Sequence, residues 1–320
     1  MTPGERTVHT NGVDLHVTEA GEGFPVVFCH GFPELGYSWR HQLPALAAAG
    51  SHAIAPDMRG YGRSSRPGAV EDYDMVHLTG DLVGLLDALG EEKAVFVGND
   101  WGAMIVWSLA VRAPERVAGV VGISVPFMPR GPMPPVQLLR SLFGENFFYI
   151  LHFQKPGVAD DELAADPRGL LTRMMAVSTA DLTADDIVPM SAPGDAGFVA
   201  RLPEPKGLPV WLRPEELEHF VGEFSRTGFT GALSWYRNLD RNWELSAHLA
   251  DVKVEVPALY IGGGADPVLL MTPPALMEGW VTDLRGTHIV EGAGHWLPQE
   301  NPAALNGLLI DFLVGLDLSS

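Results

Sequence analysis

Three polar residues stand where three apolar segments of the chain end, and their types are those of a nucleophile, an acid and a base. Asp100 follows "AVFVGN", Asp266 follows "LYIGGGA" and His295 follows "IVEGAG". A carboxylate can attack carbon to form an ester, and a histidine oriented by an acid can activate the water that hydrolyses it. Taken singly, an Asp at a helix start is usually a cap. Together, the three predict one site built from three distant segments.

The stretch "VFVGNDWGA" has the outline of a turn that exposes an attacking group. Gly98 and Gly102 lie two residues on either side of Asp100, where a side chain would crowd a tight connection from a strand to a helix. Serine hydrolases place Ser at the centre of such a turn. Because G-x-D-x-G alone is a weak signal, the prediction also depends on the elements that surround this turn in the chain.

Short apolar runs alternate with helical patterns over the first 127 residues. Strand-like segments are "VDLHVTEAG", "FPVVFCHG", "SHAIAPDMRG", "AVFVGND" and "VAGVVGISVPF". Helical spacing marks "MVHLTGDLVGLLDALG", with Gly90 as its C-terminal cap, and "WGAMIVWSLAVRAPERV", which should end before Pro114. This order predicts a mostly parallel sheet flanked by helices. Sites in such sheets lie outside the carboxyl ends of the strands, where the three polar residues stand.

The alternation breaks after Phe127 and resumes near residue 258. Residues 129–245 contain helical stretches without clear strands, and a loop rich in Pro and Gly, "SAPGDAGFVARLPEPKGLPVWLRP". The strands "VPALYIGGGAD" and "GTHIVEGAGH" and the helix "PAALNGLLIDFLVGL" then complete the pattern. We therefore predict an α/β core in two parts, residues 1–128 and 246–320, with a helical lid over 129–245 that covers the site.

Composition excludes several classes of partner. The chain of 320 residues carries a formal net charge of −19, which repels nucleic acid and anionic lipid. Apolar stretches of about 18 residues, as a membrane span needs, are absent from the sequence, as is a basic-then-apolar leader. The single cysteine, Cys29, excludes an internal disulfide and is expected to be a buried thiol. We expect a cytoplasmic protein that binds neither nucleic acid nor membrane.

A second motif, "HGFPE", follows the strand-like "VVFC". The chain order of nucleophile, acid and histidine is that of the α/β-hydrolase fold. In that fold, an N–H of the loop after this strand joins the N–H that follows the nucleophile to form an oxyanion hole. Phe32 and Trp101 are the predicted donors, and His30 is expected to hold the loop.

The chain resembles the α/β-hydrolase-fold epoxide hydrolases and is similar to the hydrolase domain of soluble epoxide hydrolases. The resemblance spans nearly the whole chain, in "CHGFPELGYSWRHQ", "PDMRGYGRSS", "GNDWGA", "YILHFQKPGVADDEL", "GFTGALSWYRNLDRNW" and "GAGHWLPQENP". It implies Asp100 as nucleophile, His295 as general base and Asp266 as the acid that orients it. It also implies that Tyr149 and Tyr236 hydrogen-bond the epoxide oxygen.

The implied reaction converts an epoxide and water to a vicinal diol. It needs no metal or organic cofactor, and the sequence lacks metal-ligand and phosphate-binding spacings. We expect small apolar aryl or alkyl epoxides as substrates; the sequence leaves both a monomer and a homodimer open. The predicted pocket walls are Phe127, Met128, Phe153 and Trp235. His152 stands where relatives often carry an aromatic residue, and its role is left open.

Two other functions compete with this interpretation. "GNDWGA" by itself would also suit a haloalkane dehalogenase, which forms the same kind of ester but releases halide. Phe32 has no side-chain donor for a halide, and two matching tyrosines are present, so the epoxide is favoured. A non-catalytic ligand-binding member of the fold is disfavoured because Asp100, Asp266 and His295 are all in place.

Overall fold

A single sheet of eight strands lies at the centre of the computed structural model, which describes residues 3–177 and 191–318. The strand order is β1-β2-β4-β3-β5-β6-β7-β8. Strand β2 is antiparallel to both of its neighbours, and the strands from β4 to β8 in this order, β3 included, are joined in parallel pairs. The strands are β1 (Gly4–Thr10), β2 (Val13–Ala20), β3 (Phe24–Cys29), β4 (Ser51–Pro56), β5 (Ala94–Asn99), β6 (Val117–Ile123), β7 (Ala258–Gly263) and β8 (Leu284–Val290).

The first strand, β1, was not predicted, because most of its residues are exposed and polar. It pairs with β2 through a two-residue turn at Asn11 and Gly12, both of which have positive φ. An Asn-Gly pair is the strongest short signal for such a hairpin. The stretch "HTNGV" therefore contains the signal for this hairpin, although the strand before it lacks an apolar run.

Helices cover the two faces of the sheet: α1 (Gln42–Ala48), α2 (Met75–Leu89), α3 (Trp101–Arg112) and, at the end of the chain, α14 (Pro302–Val314). Apolar side chains of α2 and α3 belong to one buried cluster, and those of α1 and α14 to a second. Gly90 ends α2 with a φ of 77°, as predicted. Within the described ranges, none of the helices is long and apolar enough to cross a membrane.

The chain between β6 and β7 forms a helical insertion. Its described helices are α4 (Pro135–Phe143), α5 (Tyr149–Phe153), α6 (Val158–Ala165), α7 (Pro167–Val177), α8 (Phe198–Arg201), α9 (Pro214–Thr227), α10 (Thr230–Arg237) and α11 (Leu239–Leu245). The predicted lid, 129–245, includes residues 178–190, which lie outside the described residues. The Pro- and Gly-rich stretch contains the short helix α8. Two short helices, α12 (Val268–Met271) and α13 (Leu297–Glu300), follow β7 and β8.

Hydrogen bonds fasten the insertion to the loops at the carboxyl ends of the strands. The indole N–H of Trp235 on α10 donates to the carbonyl of Arg59, beyond β4, at 3.1 Å. The Arg40 side chain, in the loop before α1, donates to Glu216 of α9 at 2.9 Å. The insertion therefore faces the end of the sheet where the predicted site residues lie.

Candidate active site

Asp100 occupies the turn from β5 to α3 in a strained backbone conformation, with φ 54° and ψ −119°. Non-glycine residues rarely adopt positive φ, and such strain is often found at functional sites. A Cβ at Gly98 would collide with the Gly102 carbonyl, and one at Gly102 would collide with the Cys29 carbonyl at the end of β3. The two glycines thus let β3, β5 and α3 meet closely, which is the mechanical role that the sequence predicted for them.

Two backbone N–H groups hold the Asp100 carboxylate. The Phe32 N–H donates to Oδ1 at 2.9 Å, and the Trp101 N–H also hydrogen-bonds the carboxylate. A Cβ at Gly31 would collide with Oδ1, so this position must stay bare for the loop to approach. The amides of Phe32 and Trp101, predicted as an oxyanion hole, converge on one carboxylate.

His295 lies between Asp100 and Asp266. Its Nε2 is 3.8 Å from Asp100 Oδ2, and its Nδ1 is 3.2 Å from each oxygen of the Asp266 carboxylate. Asp266 Oδ1 also accepts the Val268 N–H at 2.9 Å, at the start of α12. The loops after β5, β7 and β8 therefore bring together three side chains that are far apart in sequence.

Ser124, directly after β6, also contacts this cluster and was missed by the sequence analysis. Its Oγ is 3.2 Å from His295 Nδ1, and its side chain hydrogen-bonds Asp266. The residue lies in "ISVPF", where a serine that ends a strand resembles any loop residue. Its only special feature, a φ of 69°, is not visible in the sequence.

Burial and mutual charge set the protonation of the cluster. Burial raises the pKa of Asp100, and the charge of His295 and the N–H groups of Phe32 and Trp101 oppose that rise. Burial alone would lower the pKa of His295, but the charges of Asp266, Asp100 and Glu34 and a hydrogen bond to Asp266 raise it to about 10. Burial also opposes ionisation of Asp266, yet its interactions with His295 keep its pKa below the usual value. At neutral pH His295 is therefore an imidazolium beside the ionised Asp266.

Tyr149 on α5 and Tyr236 on α10 face the same space as Asp100 from the insertion. Their ring centroids are 6.0 Å apart, and both residues line one cavity with Asp100 and His295. Burial raises the pKa of each phenol above its usual 10, and the negative charge of Asp100 adds to the rise. A hydrogen bond with the Trp101 side chain opposes this at Tyr236. Both phenols therefore remain protonated well into the alkaline range.

The shared cavity has a volume of about 400 Å³ and lies between the sheet and the insertion. Most of its lining is aromatic or aliphatic, namely Phe32, Phe143, Phe147, Phe148, Met174, Phe198, Leu202, Pro267, Val268, Met271 and Trp296. Arg201 also lines it, stacked on Phe147 at 4.2 Å and donating to the carbonyls of Ala192, Gly194 and Ala196. Among the described residues, no group of three or more His, Cys, Asp or Glu side chains could hold a metal ion.

Comparison with known proteins places this chain in a family. Residues 25–302 match the alpha/beta hydrolase fold family. The chain is 55% identical over 318 residues to Epoxide hydrolase A of Mycobacterium tuberculosis, covering 99% of both chains. It is 39% identical over 304 residues to Bifunctional epoxide hydrolase 2 of Sus scrofa, covering 94% of this chain and 53% of that one. The crystal structure of Epoxide Hydrolase A from Mycobacterium thermoresistibile superimposes with a TM-score of 0.97 at 54% identity, covering 99% of this chain and 100% of that one.

The chain belongs to the epoxide hydrolases of the α/β-hydrolase fold. The resemblance inferred from the motifs is thereby confirmed, as is the fold class of a mostly parallel sheet flanked by helices with a helical insertion. This family membership also ranks the epoxide above the haloalkane alternative.

The four side chains expected in the pocket wall do not line the cavity of this epoxide hydrolase. Phe127 packs on Trp107 of α3, and Met128 is exposed. Trp235 is fully buried against His30, Tyr61 and Trp101. Phe153 is also buried, one layer behind the cavity, with its ring against Tyr149 and Tyr236. Trp235 directly precedes the lining Tyr236 on α10, and adjacent residues of a helix face different sides.

Two histidines of this epoxide hydrolase have structural partners. His30 Nε2 accepts the Met58 N–H at 2.9 Å and its Nδ1 lies 3.0 Å from the Gly31 carbonyl, while burial lowers its pKa to about 4. It therefore holds the loop as a neutral ring, in line with the sequence-based expectation. His152, left open by the sequence, lies 2.7 Å from Glu162, which also accepts the Val199 N–H at 2.8 Å. This pair ties α5, which carries Tyr149, to α8 in the cavity wall.

Proposed function

We propose that this protein converts apolar epoxides to vicinal diols through a covalent ester on Asp100. The observation that supports this most directly is the arrangement around the Asp100 carboxylate. Two backbone N–H groups hold it from one side, and His295 Nε2 lies 3.8 Å from Oδ2. Two phenols line the same cavity. An attacking carboxylate, donors for the opened ring and a base for water are thus all present in one cavity.

In the first step the Asp100 carboxylate attacks a ring carbon of the epoxide. Oδ1 accepts the Phe32 N–H, so Oδ2 is the attacking atom. A bond forms between Oδ2 and the ring carbon while that carbon's bond to the epoxide oxygen breaks, and the electron pair goes to the oxygen. Tyr149 and Tyr236 donate to this oxygen, and one of them protonates it. Because the indole N–H of Trp101 can only donate, its hydrogen bond with Tyr236 leaves the phenolic hydrogen available to the substrate.

Ester formation prepares His295 for the second step. The charge of Asp100 is one of the contributions that raise the pKa of His295 to about 10 in the free enzyme. An ester carries no charge, so this contribution is lost and the pKa of His295 falls. The imidazolium gives up a proton to restore the tyrosine, and the neutral ring becomes available as a base. The chemistry of the first step thus generates the base for the second.

In the second step His295 takes a proton from water, which attacks the Asp100 carbonyl carbon. Asp266 orients the ring and stabilises the imidazolium that forms. The oxyanion develops on Oδ1, which already faces the Phe32 N–H. Each such donor stabilises the oxyanion by roughly 3 kcal/mol. Collapse breaks the bond between the carbonyl carbon and the substrate oxygen, which takes the proton of the added hydroxyl, so the diol leaves and the carboxylate is restored.

The cavity favours an apolar substrate that packs against its aromatic walls. Its volume of about 400 Å³ suits a small aryl or alkyl epoxide. We propose that the helical insertion acts as the lid that excludes water from the carboxylate while the ring opens, because both tyrosines are on its helices.

A single turnover in oxygen-18 water with excess enzyme tests the covalent route. The first diol formed should contain unlabelled oxygen from Asp100, and label should appear in the protein. A diol labelled in that first turnover would mean direct attack by water. Styrene oxide is a suitable probe substrate, and 1-chlorobutane tests the dehalogenase alternative through halide release.

Two variants separate the steps. His295→Gln should accumulate the ester, detected as a mass increase on the protein, because alkylation needs no base. Asp100→Ala should form neither ester nor diol. Normal turnover by Asp100→Ala would show that another group attacks the epoxide.

A further inference from the structure

Ser124 combines a strained backbone, complete burial and direct contact with His295 and Asp266. We propose that Ser124 is a positioning residue for ester hydrolysis, and that its hydroxyl holds Asp266 and the Nδ1 side of His295 in their positions relative to each other. The inference rests on the proposed covalent mechanism, because it assigns Ser124 to the second of its two steps.

The hydroxyl lies where it can serve both partners at once. Its Oγ is 3.2 Å from His295 Nδ1, the same distance that separates Nδ1 from each Asp266 oxygen. Ser124 also hydrogen-bonds the Asp266 carboxylate. A carboxylate can only accept, so the serine O–H donates to Asp266 and its oxygen is left to accept from Nδ1–H. This arrangement fixes the tautomer that leaves Nε2 free to face Asp100 and water.

The backbone of Ser124 is held in a conformation that serine rarely adopts. Its φ of 69° lies in the left-handed region, and such strain persists only where the surroundings enforce it. Its N–H donates to the Ile261 carbonyl at 2.9 Å, and its carbonyl accepts the Tyr260 hydroxyl at 2.8 Å. Both partners belong to β7, the strand that leads to Asp266. The same strand, β7, therefore holds the backbone of Ser124 and leads to Asp266.

Removing the hydroxyl should change the charge balance in a defined direction. Losing the O–H donor lets the full charge of Asp266 act more strongly on Nδ1–H. We expect this to outweigh the loss of the neutral serine acceptor at Nδ1, so the pKa of His295 in the ester rises. The base must be neutral to act, so the acid limb of hydrolysis should move to higher pH. The other charged or titratable groups that act on His295 or Asp266 would be unchanged, namely Asp100 as its ester, Glu34, Glu300, Tyr149 and Tyr260.

Ser124→Ala and Ser124→Gly, studied by rapid-quench mass spectrometry with styrene oxide, test the inference. Ser124→Ala should form the ester at the wild-type rate but hydrolyse it roughly ten- to one-hundredfold more slowly, as expected for losing a hydrogen bond to charged groups. Ser124→Gly removes the hydroxyl but accepts positive φ without strain. It should show the same slow hydrolysis and the same shift of the acid limb.

Thr79→Val is a matched control, since Thr79 carries a buried hydroxyl on α2 that donates to the carbonyls of Met75 and Val76 in its own helix. It should leave both steps unchanged. Wild-type hydrolysis by Ser124→Gly, or equal loss in both steps, would overturn the inference and leave only a structural role. Failure of the covalent mechanism is distinct, because then neither the wild type nor His295→Gln would form an ester.

Discussion

Asp100 and His295 depend on each other for their charge states. Burial opposes ionisation of Asp100, while His295 and two backbone N–H groups favour it. The charge of Asp100 in turn helps to raise the pKa of His295 to about 10. An attacking carboxylate and a base can share one site because ester formation removes the charge of Asp100. The pKa of His295 then falls, and the neutral ring can act as a base.

A charge that remains during the second step offers a test of this coupling. Glu34 is buried and its charge also raises the pKa of His295. We expect Glu34→Gln to lower that pKa, so the acid limb of ester hydrolysis should move to lower pH. The pH dependence of single-turnover ester decay measures the shift. Glu278→Gln, at an exposed glutamate, is the control; an acid limb that stays in place or rises in Glu34→Gln would contradict the charge argument.

The two phenols should act only in ring opening. Tyr149→Phe and Tyr236→Phe should each slow alkylation, and the double variant should lose roughly a hundredfold or more, the usual contribution of a general acid. Ester hydrolysis should be nearly unchanged, since its oxyanion forms at Phe32 and Trp101. Tyr73→Phe is the matched control, because the Tyr73 hydroxyl donates to the Pro67 carbonyl. Unimpaired alkylation in the double variant would remove the tyrosines from the mechanism.

At the scale of elements, close packing at the turn between β5 and α3 decides where Asp100 points. A Cβ at Gly102 would collide with the Cys29 carbonyl and approach that of His30, both backbone atoms that cannot move aside. We expect Gly102→Ala to destabilise the fold by roughly 1–3 kcal/mol, as overpacking does, and to suppress alkylation because α3 and the Trp101 N–H shift. Chemical denaturation and burst kinetics measure the two effects.

Gly222 on α9 provides the opposite case. A Cβ there meets nothing within 4 Å, so Gly222→Ala should stabilise the protein by roughly 0.5–1 kcal/mol through helix propensity. If both alanine variants behaved alike, the close approach of α3 to β3 would not be the reason for the glycine at 102.

At the scale of the whole molecule, a buried ion pair joins the insertion to the core. Glu216 on α9 is 2% exposed and accepts from Arg40 of the core at 2.9 Å and from the Arg213 N–H at 2.8 Å. Burial opposes ionisation of Glu216, but these donors lower its pKa from 4.5 to about 2. The folded state therefore gains stability above pH 4.5, and this gain is lost as the pH falls towards 2.

Glu216→Gln should accordingly be destabilised at neutral pH, by roughly 1.5–3 kcal/mol, because the largely covered Arg40 guanidinium loses its charged partner and keeps only neutral acceptors such as Gln299. The difference from the wild type should shrink between pH 4.5 and about 2, as measured by chemical denaturation across that range. Glu218→Gln is the control on the same helix, since its pair with Arg168 is exposed; it should change stability little. A pH-independent difference for Glu216→Gln would show that packing, not charge, holds the insertion.

The sequence by itself determined which segments carry the candidate site residues, because the signals for these segments are local. Glycine spacing marks the turn at Asp100, apolar runs mark the buried strands, and the chain order of Asp100, Asp266 and His295 indicates the fold. The tertiary structure decided everything that depends on direction and distance. It placed the expected wall residue Trp235 behind the cavity, because Trp235 directly precedes Tyr236 on α10 and adjacent helix residues face different sides. It also brought Ser124 to His295, because the packing of β6 beside β7 places this serine, at the end of β6, next to the histidine.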